Sequence, residues 1–120
     1  MNPQNIDPDK VFHKLFKAGE EWANADEKAR KMEKVKDSML SEYKIKYIKA
    51  ENGITNALAE TKALADPEYK AFIEGMVIAR GEANRARVKY EAAKDWFEAL
   101  RTQASTLRQE MSMSNGNFNN

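Results

Sequence analysis

An unbroken heptad repeat of apolar residues occupies the second half of the chain. Taken at alternating steps of three and four, its positions are Tyr69, Phe72, Met76, Ala79, Ala83, Ala86, Tyr90, Ala93, Phe97, Leu100, Ala104, Leu107 and Met111. This spacing keeps one stripe of an α-helix, here called the seam, facing a partner helix along its whole length. The pattern therefore predicts a long helix that needs a second helix packed against it.

A weaker repeat precedes the seam. Apolar residues recur every seventh position from Leu15 to Leu64, with an interruption at Lys36. A companion line of apolar residues shifts sideways at the same place, as in a coiled-coil stutter. We therefore expect a bend or short break in the first helix between Lys36 and Ser41.

The same helix-start signal occurs twice, at Asp7-Pro8 and at Asp66-Pro67. An aspartate can cap the first N–H groups, and proline suits the first helical position. The residue before a proline is disfavoured in the α conformation, so a preceding helix should end there. The predicted organisation is an N-terminal arm at 1–7, helix one at about 8–64, a corner at 65–66, helix two at about 67–111 and a disordered tail at 112–120.

These elements predict an all-α fold, a long antiparallel helical hairpin or coiled coil that forms a single domain at 8–111 with a bent or broken first helix. A hairpin buries only one seam per helix, and apolar residues such as Ile48 and Trp96 lie off the seam. Scattered exposed apolar residues are normal in soluble proteins. Together with the thin core, however, they favour a homo-oligomer, in which hairpins assemble into a larger bundle.

A corner at 65–66 also predicts the register of the hairpin. It places Ala83 near Ile48, and it sets the segment 43–49 beside the segment 80–89. Small seam residues such as Ala79 and Ala83 would allow the two backbones to approach closely.

Composition narrows the class of protein. The chain has 120 residues, 32% of them charged, a mean hydropathy of −0.79 and no cysteine. These values suit one helical domain without disulfides or thiolate metal sites. The first residues lack the pattern of a signal peptide, and no apolar run approaches the ~20 residues that span a bilayer. We expect a cytoplasmic protein without a membrane partner, located in the host cytoplasm if a phage encodes it.

No catalytic constellation is visible in the sequence. His13 is the only histidine, it has no ligand-spaced partner, and its apolar neighbours favour a helix-packing role. The glycines of the helical segments lie singly and form no phosphate loop. Carboxylates alternate with lysines, as on solvated helix faces. We predict that the chain is not an enzyme and uses no metal or cofactor.

Positive charge is the one feature with chemical content. Segment 43–49 (YKIKYIK) holds three lysines and no acid, and segment 80–89 (RGEANRARVK) holds four cations and one acid. Because the predicted register brings the segments together, they would form a basic patch. The candidate nucleic-acid-binding residues are Lys44, Lys46, Lys49, Arg80, Arg85, Arg87 and Lys89.

The patch is open to more than one interpretation. Like charges held together cost stability unless a polyanion or an acidic partner neutralises them. Phosphates of single-stranded DNA, an acidic protein surface and plain solvation all remain open. Tyr43, Tyr47 and Tyr90 lie nearby and could stack on bases. All three occupy repeat positions, however, which favours core packing.

A basic flank also follows the seam. The position after every second seam residue carries a cation: Arg80, Arg87, Lys94, Arg101 and Arg108. At a rise of 1.5 Å per residue this flank is about 42 Å long. The predicted register supplies glutamates of helix one to Arg101 and Arg108, so we expect these two to form ion pairs.

The segments 65–70 (ADPEYK) and 90–102 (YEAAKDWFEALRT), with the Ala/Arg-rich stretch between them, resemble small helical proteins that tailed phages and prophages encode among replication and recombination genes. The resemblance covers about residues 42–111. It implies an accessory protein that handles single-stranded DNA, like the mediators that load a recombinase or an annealing protein. No residue belongs to a known binding or catalytic motif of such proteins.

Two functional hypotheses follow. In the first, the chain is a non-enzymatic phage-type accessory that binds single-stranded DNA and assists a recombinase or annealing protein in recombination or replication. In the second, it is a coiled-coil adaptor, a virion structural component or an inhibitor that docks an acidic protein surface.

Overall fold

The structure is a computed structural model that describes residues 7–118. It contains α1 (Pro8–Ala50), α2 (Asn56–Ala65) and α3 (Pro67–Phe118). No strand occurs among these described residues, and α1 and α3 pair antiparallel. The predicted all-α helical hairpin is confirmed.

Both predicted aspartate caps are present. The Asp9 amide donates to Oδ1 of Asp7 at 3.0 Å, and the Glu68 amide donates to Oδ1 of Asp66 at 2.8 Å. The prolines that follow, Pro8 and Pro67, are the first residues of α1 and α3. Each cap satisfies a backbone N–H that has no partner inside the helix.

The interruption of the first helix lies at 51–55, and α1 is uninterrupted from Lys36 to Ser41. The predicted site was wrong because that segment contains neither proline nor glycine, and a shift of apolar phase alone does not end a helix. Gly53 adopts a positive φ of 80°, a conformation that glycine accepts without steric cost. Thr55 then caps α2, accepting from the Leu58 amide at 3.1 Å. The predicted helix at 8–64 is therefore two helices.

The predicted tail at 112–120 also differs from the structure, because α3 continues to Phe118. Serine and asparagine lower helix propensity only modestly, and no proline follows Pro67 to stop the helix. Residues 119–120, like residues 1–6 of the predicted N-terminal arm, lie outside the described residues.

The chain divides into two compact units. One unit comprises Trp22–Arg85, and the other comprises the residues up to Glu21 together with those from Ala86 onward. Each unit contains a segment of α1 and a segment of α3 that contact each other.

The core of the Trp22–Arg85 unit is built from small side chains. Ala29 of α1 packs with Ala79 and Ala83 of the seam, and Ala25 and Met32 lie against them. Alanine at these positions allows two helix backbones to approach closely. In the other unit the Phe12 and Phe97 rings lie 6.0 Å apart, and the Tyr90 ring lies against the backbone of Gly19.

The predicted register was wrong. Ala83 packs with Ala29 of α1, whereas Ile48, its predicted neighbour, is an exposed residue. The cause is the turn of the hairpin, which is not a corner of two residues but the whole stretch between Ala50 and Pro67, including α2. A residue of α3 therefore faces a residue much earlier in α1 than the sequence predicted.

Burial of the seam is not uniform along α3. From Tyr69 to Leu100 every seam residue is buried or half-buried, as the repeat predicts. From Arg101 to Ser114 every residue is exposed, including Leu107 at 43% and Met111 at 64%. The repeat continues beyond Leu100, but among the described residues no helix covers it.

Candidate interaction surface

Lys46, one of the predicted basic-patch residues, is engaged at the start of α3. Its ammonium lies 3.2 Å from Oδ2 of Asp66 and 5.7 and 5.5 Å from the ring centroids of Tyr43 and Tyr47. The hydrogen bond to Asp66 raises the pKa of Lys46. The charge of Lys46 is therefore neutralised by a carboxylate of the same chain, Asp66.

Arg80 binds two carboxylates of α1. Its Nε donates to Oε2 of Glu33 at 2.9 Å, and its Nη1 donates to Oδ1 of Asp26 at 2.8 Å. Asp26 also pairs with Arg30 at 2.7 Å. The hydrogen bonds raise the pKa of Arg80 and, chiefly through the bond from Arg80, lower the pKa of Glu33. A charge held by two acids is poorly available to an external phosphate.

The remaining predicted residues are less engaged. Lys89 reaches Oε2 of Glu21 at 3.5 Å, a long contact between exposed groups. Lys44 is half-buried, and Lys49, Arg85 and Arg87 are exposed. None of these last four forms an ion pair with the described part of the chain.

Lys46 and Arg80 do not lie together as the basic patch predicted, because the register on which that prediction depended was wrong. Within the Trp22–Arg85 unit, Lys46 lies at the start of α3, whereas Arg80 lies at Asp26 and Glu33 of α1. The two cations occupy separate sites, each with its own carboxylates.

The tyrosines of α1 belong to a polar network that the sequence did not reveal. The Tyr47 hydroxyl donates to Oδ2 of Asp66 at 2.7 Å, and the Tyr43 hydroxyl donates to Oε2 of Glu68 at 3.0 Å. The Tyr43 ring also meets Tyr69 edge to face at 5.9 Å. Both tyrosines are half-buried and neither is among the buried core residues, so their core packing stays a prediction.

Asp66 is the centre of this network. It is 3% exposed and, besides capping α3, accepts hydrogen bonds from Tyr47 and Lys46. The bond from Tyr47 is the main reason that the pKa of Asp66 is lowered to about 2. The same bond raises the pKa of Tyr47. Asp66 thus fastens the start of α3 to α1.

An open apolar groove lies beside the Tyr90 contact, with a volume of about 400 Å³. It is lined by Phe12, Leu15, Phe16, Gly19, Glu20 and Tyr90. His13, on the same stretch of α1, is exposed, so its predicted helix-packing role was wrong.

The uncovered end of α3, residues 101–114, is the surface with the clearest chemical pattern, and we name it the α3 extension. Its seam positions are Ala104, Leu107 and Met111, and its flank carries Arg101 and Arg108. All five side chains are exposed, and neither arginine has an ion-pair partner within residues 7–118. The ion pairs expected for these arginines from the sequence are therefore absent from the described structure.

Residues 7–118 contain neither a candidate metal site nor a candidate membrane-spanning helix. No group of three or more potential metal-ligating side chains occurs within residues 7–118. No helix among those residues has both the length and the apolar character needed to cross a membrane. In comparisons with known proteins, no family model, no curated protein and no solved structure matches the chain significantly.

Proposed function

We propose that this chain is a non-enzymatic coiled-coil adaptor that binds a partner protein through the α3 extension. The observation that carries this proposal is that the seam is exposed from Ala104 to Met111. The seam residues before it, from Tyr69 to Leu100, are buried or half-buried. The hairpin serves as the folded support that holds the extension in place.

Physical chemistry favours a partner for this surface. Burying a leucine or methionine side chain fully contributes about 1.5–3 kcal/mol, which Leu107 and Met111 do not gain while exposed. A heptad stripe is complementary to another helix rather than to a flat surface or a small molecule. A helical segment of a second protein is therefore the natural occupant.

The carboxylates near the predicted basic-patch residues favour a protein partner over nucleic acid. Lys46 and Arg80 are matched by carboxylates, and Lys89 is in long contact with another. Three of the seven candidate DNA contacts thus already have acidic neighbours, which a phosphate backbone would have to displace.

Site-specific photo-crosslinking in the cells that make this protein tests the proposal. A benzophenone side chain at position 107, on the seam, should give one adduct with a different protein. The same group at position 102, off the seam on the same helix, serves as the control and should give none. An adduct of two copies of this chain, or equal crosslinking from both positions, would contradict the adaptor function.

A truncation separates binding from folding. A chain ending at Leu100 should unfold at the same temperature as the full chain, because the side chains from Arg101 to Ser114 are exposed. Because the truncated chain lacks position 107, its binding is measured by affinity capture, in which it should not retain the protein that the full chain crosslinks. A marked decrease in Tm would show that the extension serves the fold and not a partner.

Single-stranded DNA binding is the second candidate. It is favoured by Arg85 and Arg87, which are exposed and free of ion pairs within the described residues. The resemblance to phage recombination accessories adds to this candidate, with a recombinase or annealing protein as its partner. Self-association into a larger bundle likewise stays a prediction.

Oligonucleotide binding at varied salt tests the second candidate. If only Lys44, Lys49, Arg85 and Arg87 contact phosphates, log K should fall with log salt at a slope of about −3, against about −5 for all seven residues. Replacing Arg85 and Arg87 by glutamate should abolish binding, and the double reversal Lys34→Glu/Lys36→Glu, matched in charge but outside the patch, should not. If the wild-type chain does not bind at low salt, this candidate is excluded.

A further inference from the structure

Arg80 shows how a covering helix can supply carboxylates to the basic flank of the seam. Arg87 and Lys94, at the same heptad position beside the covered seam, have no ion-pair partner among the described residues. Arg80 follows the buried seam residue Ala79, and it reaches across to Asp26 and Glu33 of α1 at 2.8 and 2.9 Å. These two acids are seven residues apart on α1, so both lie on the same side of that helix. At this point of the covered seam, α1 thus supplies two carboxylates, one heptad apart, to the flanking Arg80.

The α3 extension repeats the same arrangement without the covering helix. Arg101 follows Leu100 and Arg108 follows Leu107, in the relation that Arg80 has to Ala79. All three arginines occupy one heptad position of one uninterrupted helix, so each projects from the same side of the seam. What differs is that Arg101 and Arg108 are exposed and have no carboxylate partner within residues 7–118.

We propose that the α3 extension recognises an acidic amphipathic helix whose own apolar seam is flanked by aspartate or glutamate at seven-residue intervals. This inference rests on the adaptor function and specifies the chemistry of its partner. Ala104, Leu107 and Met111 receive the apolar seam, and Arg101 and Arg108 bind the carboxylates. The extension is about 20 Å long at 1.5 Å per residue, so two heptads of the partner suffice.

A second copy of this chain fits the extension poorly. In an antiparallel pair of extensions, equivalent flanks face each other, which would set Arg101 of one copy against Arg108 of the other. In a parallel pair, Arg101 and Arg108 would face Trp96 and Gln103 of the other copy. Neither arrangement supplies a carboxylate to the arginines.

Nucleic acid fits poorly as well. Phosphates could approach Arg101 and Arg108, but they would leave the apolar stripe between Ala104 and Met111 in water. Only an occupant that is both apolar and acidic covers the seam and pairs with both arginines.

The test uses the full chain and three fluorescent three-heptad peptides with leucine at every seam position. The first carries glutamate at both flanking positions, so that its orientation does not matter, and the others carry glutamine or lysine there. In anisotropy titrations at low salt, the glutamate peptide should bind at least tenfold more tightly than the glutamine peptide. The lysine peptide should not bind.

Charge reversal supplies the decisive variant. The double variant Arg101→Glu/Arg108→Glu should lose the glutamate peptide and bind the lysine peptide. Lys34→Glu, a charge reversal on α1 outside the extension, should change neither affinity. Both variants should keep the helicity of the wild type, because the substituted side chains are exposed.

Failure of this inference can be told apart from failure of the adaptor function. Equal binding of the glutamate and glutamine peptides would overturn the inference that carboxylates of the partner bind Arg101 and Arg108. A heteromeric crosslink from position 107 would still support an adaptor. Absence of binding by all three peptides would overturn the inference. A dimer in light scattering that Leu107→Glu dissociates would overturn both, because the occupant would then be a second copy.

Discussion

The two ends of α3 carry the same heptad repeat but differ in what surrounds it. Near its beginning, Ala79 and Ala83 are 2% and 1% exposed, whereas Leu107 and Met111 near its end are 43% and 64% exposed. The sequence pattern alone does not distinguish these stretches. A heptad repeat therefore indicates that a helix needs a partner helix, but it does not indicate whether the same chain provides that helix.

The side chains of the two stretches differ in size. The covered core consists of alanines, which permit close approach of the backbones of α1 and α3. The extension offers a leucine and a methionine to solvent, and methionine adapts readily to differing partner surfaces. This difference suits a fixed internal contact at one end and an external contact at the other.

The largest expected effect comes from enlarging one alanine in each stretch. Ala83→Leu should lower the free energy of unfolding by about 1–3 kcal/mol, because the side chain would have to enter a filled alanine core. Chemical denaturation followed by circular dichroism measures the loss. Ala104→Leu, at the same heptad position on the extension, is the matched control and should leave stability nearly unchanged. Equal losses from the two variants would contradict the difference between the two ends.

Glycines in the helices offer a second, smaller test. Gly81→Ala should stabilise the chain by about 1 kcal/mol, because alanine is the better helix former and its Cβ would meet Arg85 only at an ordinary 3.4 Å. Gly19→Ala should gain less or lose stability, because the new Cβ would lie 3.2 Å from the Tyr90 ring. Thermal unfolding of both variants compares the two sites. A larger gain at Gly19 than at Gly81 would show that the Tyr90 contact is loose.

The Asp66 network predicts a pH dependence confined to the covered end of α3. The pKa of Asp66 is about 2 in the folded chain, below its ordinary value of 3.8. A carboxyl with a lowered pKa stabilises the fold above its ordinary pKa, and that contribution is lost as pH falls through the folded value. Tm should therefore fall between about pH 4 and pH 2.

The variant Asp66→Asn isolates this effect, because asparagine also caps helices but does not titrate. Its Tm should be lower than that of the wild type at neutral pH and should change less in acid. Some acid sensitivity should persist, because the pKa of Glu33 is lowered too. An unchanged acid profile in Asp66→Asn would contradict the role assigned to Asp66.

The smallest effect is expected from neutralising one arginine in each stretch. Arg80→Gln should lower Tm slightly, because Asp26 and Glu33 lose a shared partner. Arg101→Gln should not change Tm, because no described carboxylate pairs with it. Differential scanning calorimetry at low salt resolves small shifts, and a larger decrease for Arg101→Gln would contradict the assignment.

Local signals in the sequence predicted local structure well. The fold class, both aspartate caps and the start of α3 at Pro67 follow from helix propensity and capping, which act over a few residues. The break at 51–55 carried such signals too, in the turn dipeptide Asn52-Gly53 and the capping residue Thr55. The heptad pattern outweighed these signals, because it continues across the break and into α2.

The candidate site was harder to predict because it depends on register. One error in the position of the turn moved the α1 partners of α3 by several helical turns, so Lys46 and Arg80, predicted as members of one basic patch, lie at separate sites. The Asp66 network joins residues that are far apart in the chain, and no spacing rule reports such contacts. The exposed extension became visible only when burial along the seam was known.

Amide hydrogen exchange along α3 tests the difference between its two ends most directly. In the free chain, amides around Ala79 and Ala83 should exchange slowly, and those from 101 to 114 should exchange fast, because no packing holds that part of the helix. Addition of the glutamate-flanked peptide should slow exchange in 101–114 alone. Equal protection of both stretches in the free chain would contradict the account, because the extension would then already be covered.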